Sequence, residues 1–429
     1  MVQRRLDLEG RQIDAKENTE MEKTKDQSVL IVIDRIKDVR KSGGASFINY
    51  ELIKVHVEMG FSISVLVIGN RSQAIVDMLA EIAVEHVYFM PPLPRAAWQR
   101  RFMGNVVRMP TLEILPENLR PYRFDLGLTS VLGADDVIHI LKLLKKSRIV
   151  SRSVVWEHRS LYHRKATPKG YLRRRLLRGS LDSADRLLAV STPLAMRVSD
   201  MVGKSGEICC VMSNIVSSVL TSQKKPGDVT QGIAIPNSDF VFSVQNWERG
   251  VKGMDTLFAM CESLKDHGSK LQIVLAGNHP DGIDQLLCQK GLAGKVHFVG
   301  RTRPEVTWAY FQKCSLYVNV SNTETFSIST AEALFFGKPV VVTQSGGPED
   351  FVRPGVDGEV VAPGDARSLA LAVDSVHSRA EEYDTAEISR NAFLQFSAEA
   401  WRSKWERYYQ IHFPELSIQS KVTREISLS

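Results

Sequence analysis

The chain has no uninterrupted apolar run approaching the roughly 18 residues that a bilayer-spanning helix needs, so no transmembrane helix is expected. Its start, residues 1–27, is charged throughout and lacks the apolar stretch of a secretory signal, so it reads as a disordered leader or a mis-called start. Cysteine is scarce: Cys209, Cys210, Cys261, Cys288 and Cys314 are odd in number and show no metal-ligand spacing. They read as reduced cytosolic thiols that mostly serve packing. A G-x-G-x-x-G turn is missing, and with it the support for dinucleotide binding. No Asp-x-Asp metal motif occurs either. Acids are absent from two stretches, residues 93–110 and 158–178, although the net charge is only +6. The first mixes Arg95, Arg100, Arg101 and Arg108 with Trp98, Phe102 and Met103. Such interleaving suits an anionic membrane surface, a nucleic acid or a merely solvated basic face. No nucleic-acid motif accompanies it.

What is present is ordinary globular composition, 43% hydrophobic and 24% charged over 429 residues, enough for two to three domains. Residues 29–34, VLIVID, read as a buried strand, 46–59 as an amphipathic helix closed by Gly60, and 63–67 as the next strand. This βαβ order implies a doubly wound parallel sheet. Gly43 and Gly44 sit at the strand-to-helix turn. There they either only permit tight geometry or let the backbone approach a ligand. Further strands are expected around Phe124–Leu128 and Ser153–Trp156, and His158 follows the latter. A lone histidine in that place reads first as structural, and His163 is a weaker rival. Residues 397–410 carry Trp401, Trp405, Tyr408 and Tyr409 at helical spacing, which reads as core packing.

Residues 318–351, VNVSNTETFSISTAEALFFGKPVVVTQSGGPEDF, organise the second half. They read as a short apolar strand over 318–320, a polar loop Ser321-Asn322-Thr323 of helix-capping type, a helix over 327–336 ended by Gly337, and a β-branched strand at 340–342. A helix start at the carboxyl end of a parallel strand offers free N–H groups and a positive dipole end, which bind phosphate. Glu324 and Glu332 frame this helix start. A carboxylate only accepts hydrogen bonds, so it suits ribose or sugar hydroxyls. The bland alternative is two solvent-facing charges.

The spacing Glu324-x7-Glu332, with Phe326 two residues after the first glutamate and Ala331-Glu332-Ala333 at the second, resembles the retaining glycosyltransferases of family 4. The likeness extends through Gly337-Lys338-Pro339-Val340-Val341, Gly346-Gly347-Pro348-Glu349 and Val361-Ala362-Pro363-Gly364-Asp365. The segment Ser183-Ala184-Asp185-Arg186-Leu187-Leu188-Ala189-Val190-Ser191 resembles another family segment in the first half. The likeness covers roughly residues 28–412 and is densest over 240–370.

The resemblance implies the GT-B fold, an α/β architecture of two doubly wound Rossmann-like domains facing a central cleft, with a C-terminal helix crossing back to the first domain. Applied to this chain, it gives an acceptor-side domain over 28–218, a linker over 219–236, a nucleotide-sugar-binding domain over 237–395, a crossover helix over 396–414 and a loose tail over 415–429. It implies transfer of a sugar from a nucleotide-sugar to a glycan or lipid-linked acceptor with retention of configuration and without a metal or other cofactor. Glu324, His158 and Lys252 are the implied catalytic residues. Gly44, Arg249, Lys252, Arg301, Phe326, Ser327, Ile328 and Glu332 are the implied donor-binding residues, with Lys252-Gly253 matching a diphosphate-binding lysine and Arg301 standing where the donor base is met.

The chain departs from the family in three places. Gln245-Asn246 stand where Gly-Arg is usual, and Arg249 is the expected substitute for that arginine. Ser213-Asn214-Ile215 replace Pro-Asn-Gly, and Thr325 and Ser327 replace two glycines of E-G-F-G. Ser327 is expected to add a hydroxyl donor near the phosphate. The missing arginine keeps a second expectation in play, a non-catalytic scaffold of the same shape. Partners expected are the nucleotide-sugar, the acceptor and an anionic membrane surface at 93–110 and 158–178, without nucleic acid, in the cytoplasm or at the inner membrane face.

Overall fold

The computed structural model describes residues 27–34, 36, 44–92, 112–133, 135–160, 175, 177–203, 209–216, 236, 239–245, 250–279 and 281–416. Residues 93–110, most of 158–178, Gly43, His163 and Arg249 therefore lie outside the described residues.

Two parallel sheets form. The first takes β1 (Ser28–Ile33), β2 (Ser62–Ile68), β3 (His86–Met90), β4 (Phe124–Val131), β5 (Val150–Glu157), β6 (Arg186–Ala189) and β7 (Cys209–Val211) in the order β3-β2-β1-β4-β5-β6-β7. Helices α1 (Gly44–Glu58), α2 (Gln73–Ala80), α3 (Asp136–Lys146) and α4 (Thr192–Val202) connect them. The second takes β8 (Phe240–Val244), β9 (Gln272–Ala276), β10 (Val296–Gly300), β11 (Leu316–Asn319), β12 (Val340–Thr343) and β13 (Gly358–Val361) in the order β10-β9-β8-β11-β12-β13. Here α5 (Met254–Asp266), α6 (Ile283–Gln289), α7 (Pro304–Lys313), α8 (Ile328–Phe335) and α9 (Ala366–Ser378) intervene or follow, and α10 (Thr385–Phe396) and α11 (Ala398–His412) close the described chain.

The apolar runs of the sequence become these strands because helices cover both faces of a parallel sheet. Residues 29–33 and 340–342 are buried throughout. In each sheet the order reverses beside the first strand, between β1 and β4 and between β8 and β11. At such a reversal the two flanking loops diverge to opposite faces and leave a crevice at the carboxyl ends of the strands. Sheet order thus selects which loops can meet a common ligand.

The terminal helix α11 packs against the first sheet's layer. Trp401, Trp405, Tyr408 and Tyr409 are all buried. Trp405 meets the Trp156 ring edge-on, with centroids 5.7 Å apart. Trp401 Nε1 donates to the Ser213 carbonyl at 2.8 Å, and Lys404 Nζ to the Ser213 hydroxyl at 2.8 Å. On α1, His56 Nδ1 lies 2.7 Å from the Leu52 carbonyl, which can only accept. That fixes the tautomer, so the Tyr409 hydroxyl donates to His56 Nε2 at 2.7 Å. Burial of His56 lowers its pKa to about 4 and keeps it neutral. Each buried aromatic of α11 contributes roughly 2–3 kcal/mol through removal from water.

Candidate active site

Lys252 lies in the loop after β8 and Glu324 in the loop after β11, the two strands that flank the reversal of the second sheet. The loops are zipped together. The amides of Asn322 and Thr323 donate to the Val251 carbonyl at 2.8 and 3.2 Å. Gly253, at φ +65, brings its backbone so close that a Cβ would sit 1.9 Å from the Val320 carbonyl oxygen. Only glycine fits there. The result is a Lys252 Nζ–Glu324 Oε2 ion pair of 2.6 Å between side chains 24% and 15% exposed. The other carboxylate oxygen, Oε1, accepts the Thr325 N–H at 3.1 Å, and the Glu324 N–H donates to the Ser345 carbonyl at 3.0 Å.

The start of α8 differs from the expected capping in a way that matters for an anion. Ser321, Asn322 and Thr323 do not cap the helix, because it starts only at Ile328; the amides of Asn322 and Thr323 are spent on Val251 and the Ser321 N–H donates to Asn319 Oδ1 at 2.9 Å. Ser327 holds the N-cap position instead, at φ 72 and ψ 79, with no side-chain cap and no acid in the first turn. A non-glycine residue in this left-handed region is strained by roughly 1 kcal/mol or more. Its hydroxyl meets Asn319 Nδ2 and Thr330 Oγ1, each at 2.7 Å, and Ser327 is buried. The hydroxyl expected to face a phosphate is therefore committed to an internal network, and only the Ser327 and Ile328 backbone N–H groups are left for that task. Asn319, a polar residue inside an apolar strand, was the sequence signal for this network.

Phe326 also turns its ring inward, against Phe351 and Phe396 at centroid distances of 5.1 and 5.5 Å. Any ligand contact by Phe326 is thus limited to its backbone. Glu332 lies on the next turn of α8 and accepts from Trp308 Nε1 at 3.4 Å. The side chain retains some exposure. Burial of its carboxyl nonetheless outweighs that hydrogen bond and pushes the pKa up to about 7. Arg301 is exposed just after β10, at the far edge of the sheet.

In the first sheet Gly44 opens α1 beyond β1, and His158 follows β5. His158 is buried, with Nε2 3.3 Å from the Ser130 hydroxyl at the end of β4 and its ring against Trp156, centroids 4.1 Å apart. Its Nδ1 has no hydrogen-bond partner among the described residues. Burial, reinforced by the neighbouring Arg159, drives its pKa down to about 3. Arg159 carries no spare charge outward: it forms two 2.8 Å bonds to Glu157 and a further bond to Asp135. This Glu157–Arg159–Asp135 set was not anticipated from the sequence, and for Glu349, singled out there only as part of a motif, neither was its role of accepting the Gly346 and Gly347 N–H groups at 2.7 and 3.0 Å. Lys252 and Glu324 are brought together. His158 belongs to the other sheet and shares no hydrogen bond with them among the described residues.

Residues 231–392 match the family model for glycosyl transferases group 1. An uncharacterized glycosyltransferase of Methanocaldococcus jannaschii is 34% identical over 30% of this chain and 33% of its own length. The lipopolysaccharide core biosynthesis glycosyltransferase LpsE of Rhizobium meliloti is 31% identical over 29% of this chain and 36% of its own length. These matches span only about a third of the curated relatives' length. The crystal structure of Anabaena HepE with UDP and glucose superposes over 89% of this chain and 99% of that one, with a TM-score of 0.64 at 17% identity. That likeness shows the fold. Residues 231–392 are thus similar to the glycosyl transferases group 1 family, and the two parallel sheets carry the GT-B fold.

Proposed function

We propose that the chain transfers a sugar from a nucleotide-sugar held at the second sheet to a glycan or lipid-linked acceptor at the first, with retention of configuration. The observation that carries this reading is the Lys252–Glu324 pair beside an uncapped helix start at the strand reversal. In the free protein each charge satisfies the other. A donor diphosphate competes for Lys252 and for the Ser327 and Ile328 amides, which stabilise the charge that develops on the leaving group. Lys252 then turns to phosphate and releases Glu324 to accept from sugar hydroxyls. Glu332 accepts from the ribose hydroxyls once ionised. His158, neutral in its buried site, bonds a hydroxyl of the transferred sugar. The acceptor oxygen bonds the anomeric carbon on the face that the diphosphate leaves. The acceptor proton passes to a diphosphate oxygen as the old bond breaks. Positive charge comes from Lys252 and the helix start, so the scheme requires no metal.

Support comes from the family match of the second domain and from the UDP and glucose held by the fold neighbour. A cavity of about 460 Å³ at the carboxyl ends of β2 and β3, bordered by Arg71, Tyr88 and Asn118, offers room on the first sheet for part of an acceptor. An anionic membrane surface as a partner rests on the basic stretches of the sequence. No helix among the described residues is long and apolar enough to cross a membrane.

The test is thermal unfolding with UDP, GDP and ADP, beside Glu332→Ala, followed by donor turnover with Glu324→Ala. A nucleotide at a hundred times its dissociation constant adds about 2.7 kcal/mol and raises the melting temperature by several degrees. One nucleotide is expected to do so in the wild type only. No shift and no turnover would leave the scaffold reading standing.

A further inference from the structure

The loop over residues 344–350 touches both domains. On its own side it underlies the Glu324 loop. The Glu324 N–H donates to the Ser345 carbonyl at 3.0 Å, and a Cβ on Gly347 would lie 2.5 Å from the Phe326 nitrogen. Glu349 braces the turn through the Gly346 and Gly347 amides. Two contacts then leave for the first domain. The Ser191 hydroxyl, on a residue 1% exposed, donates to the Gly346 carbonyl at 3.0 Å. The Asp350 carboxylate accepts from the Thr192 N–H.

The local chemistry at α4 is unusual. Ser191 stands at its N-cap with extended backbone, the position where a serine hydroxyl normally accepts from the helix's own amides. It does not do so here. Its hydroxyl is spent across the cleft, and the first helical amide, that of Thr192, takes its acceptor from the other domain. Consecutive carbonyls therefore face opposite ways: that of Ser345 holds the Glu324 backbone within the second domain, and that of Gly346 holds Ser191 across the cleft. A shift of α4 has one peptide unit in which to dissipate before it reaches Glu324.

We propose that Ser191 and Asp350 form an interdomain bridge that sets the position of the Glu324 loop against the first domain, making both of them positioning residues. The inference rests on the transfer reading for its catalytic meaning, while the bridge itself does not. Without it, the second domain still holds a nucleotide, but the acceptor and the donor sugar meet in poorer register.

The test uses the full chain with Ser191→Ala, Asp350→Ala and Asp350→Asn, in two readouts. Amide hydrogen exchange without substrate reads the bridge. In both alanine variants, exchange is expected to quicken at residues 192–195 and also at 322–327, in the opposite domain. Asp350→Asn is expected to stay near wild type, because an amide oxygen still accepts from Thr192. Steady-state transfer reads the consequence: kcat falls about tenfold in the alanine variants while nucleotide affinity stays within about twofold. Quickened exchange confined to 192–195 overturns the proposal by reducing the contact to a local cap. Nucleotide affinity falling in step with kcat overturns it too, as damage to the second domain. A wild type that binds no nucleotide sinks the transfer reading alone, since exchange still decides the bridge. Should Asp350→Ala fail to fold, Ser191→Ala carries both readouts.

Discussion

The strand reversal of the second sheet and the β4–β5 ends of the first sheet, one strand beyond its own reversal, hold opposite kinds of chemistry. Beyond β8 and β11 stand a lysine and a glutamate that neutralise each other in a partly open crevice, beside a helix start with free amides. Beyond β4 and β5 stands a neutral, buried histidine, and the arginine next to it is consumed by Glu157 and Asp135. The second site can exchange its internal ion pair for an ionic ligand at little net cost in buried charge. The first can offer hydrogen bonds, but its arginine is already held by two carboxylates. The local electrostatics thus suit the second sheet's crevice to an ionic ligand, while the buried histidine of the first sheet offers only neutral hydrogen bonding.

Substitutions can break this division. Glu324→Gln is expected to lower transfer at least about a hundredfold with nucleotide binding retained, measured by turnover and calorimetry. Near-normal turnover would move the reacting centre elsewhere. Lys252→Met should weaken nucleoside diphosphate binding by roughly 10- to 100-fold, the weight of a charged hydrogen bond. An equal loss for the nucleoside alone would remove the diphosphate from its role. His158→Ala should cost transfer about tenfold without altering nucleotide affinity. Because His158 titrates near pH 3, it should add no limb to the rate profile between pH 5 and 8.

The pH dependence of stability sharpens the comparison. Glu332 is raised by burial from 4.5 to about 7, so the stability it contributes is full below pH 4.5 and is lost as pH rises through about 7. The first domain runs the other way. Burial lowers His56 and His139 from 6.5 to about 4 and His158 to about 3, so their contribution is full above pH 6.5 and is lost as pH falls. Melting scans should show Glu332→Gln gaining on wild type from pH 5 to 8, and nucleotide affinity of the wild type rising with pH through about 7 as the carboxylate ionises. A parallel pair of curves would remove Glu332 from the titration. The smallest effect is expected at Ser327→Gly. It relieves a left-handed serine but strands Asn319 and Thr330, for a net loss of about 1 kcal/mol by denaturant unfolding.

Much of the architecture was legible because parallel strands are apolar on both faces: residues 29–33 and 340–342 could scarcely be anything else. The helical spacing of its aromatics announced the burial of α11. The Lys252–Glu324 contact was legible only as two motifs. Their pairing depends on β8 lying beside β11, an order that local sequence does not encode. Ser327 was visible as a residue in a glycine's place, but not what its hydroxyl would do, since the one signal, a polar Asn319 in an apolar strand, does not by itself name its partner. The Ser191 contact was illegible altogether, because it reaches the other domain through a backbone carbonyl, which carries no sequence identity.

The seating of α11 on the first sheet has a consequence for how the protein is made. The wall around Trp156 and His56 leaves the ribosome early, yet its cover, Trp405 and Tyr409, is translated near the end of the described chain. At about 5–20 residues per second the gap is roughly 13–50 s. Throughout that interval the nascent first domain exposes an aromatic face that only its own later helix fits, so chaperone demand should be highest before residue 412 emerges, and a chain stalled after the second sheet should be the species most prone to aggregate.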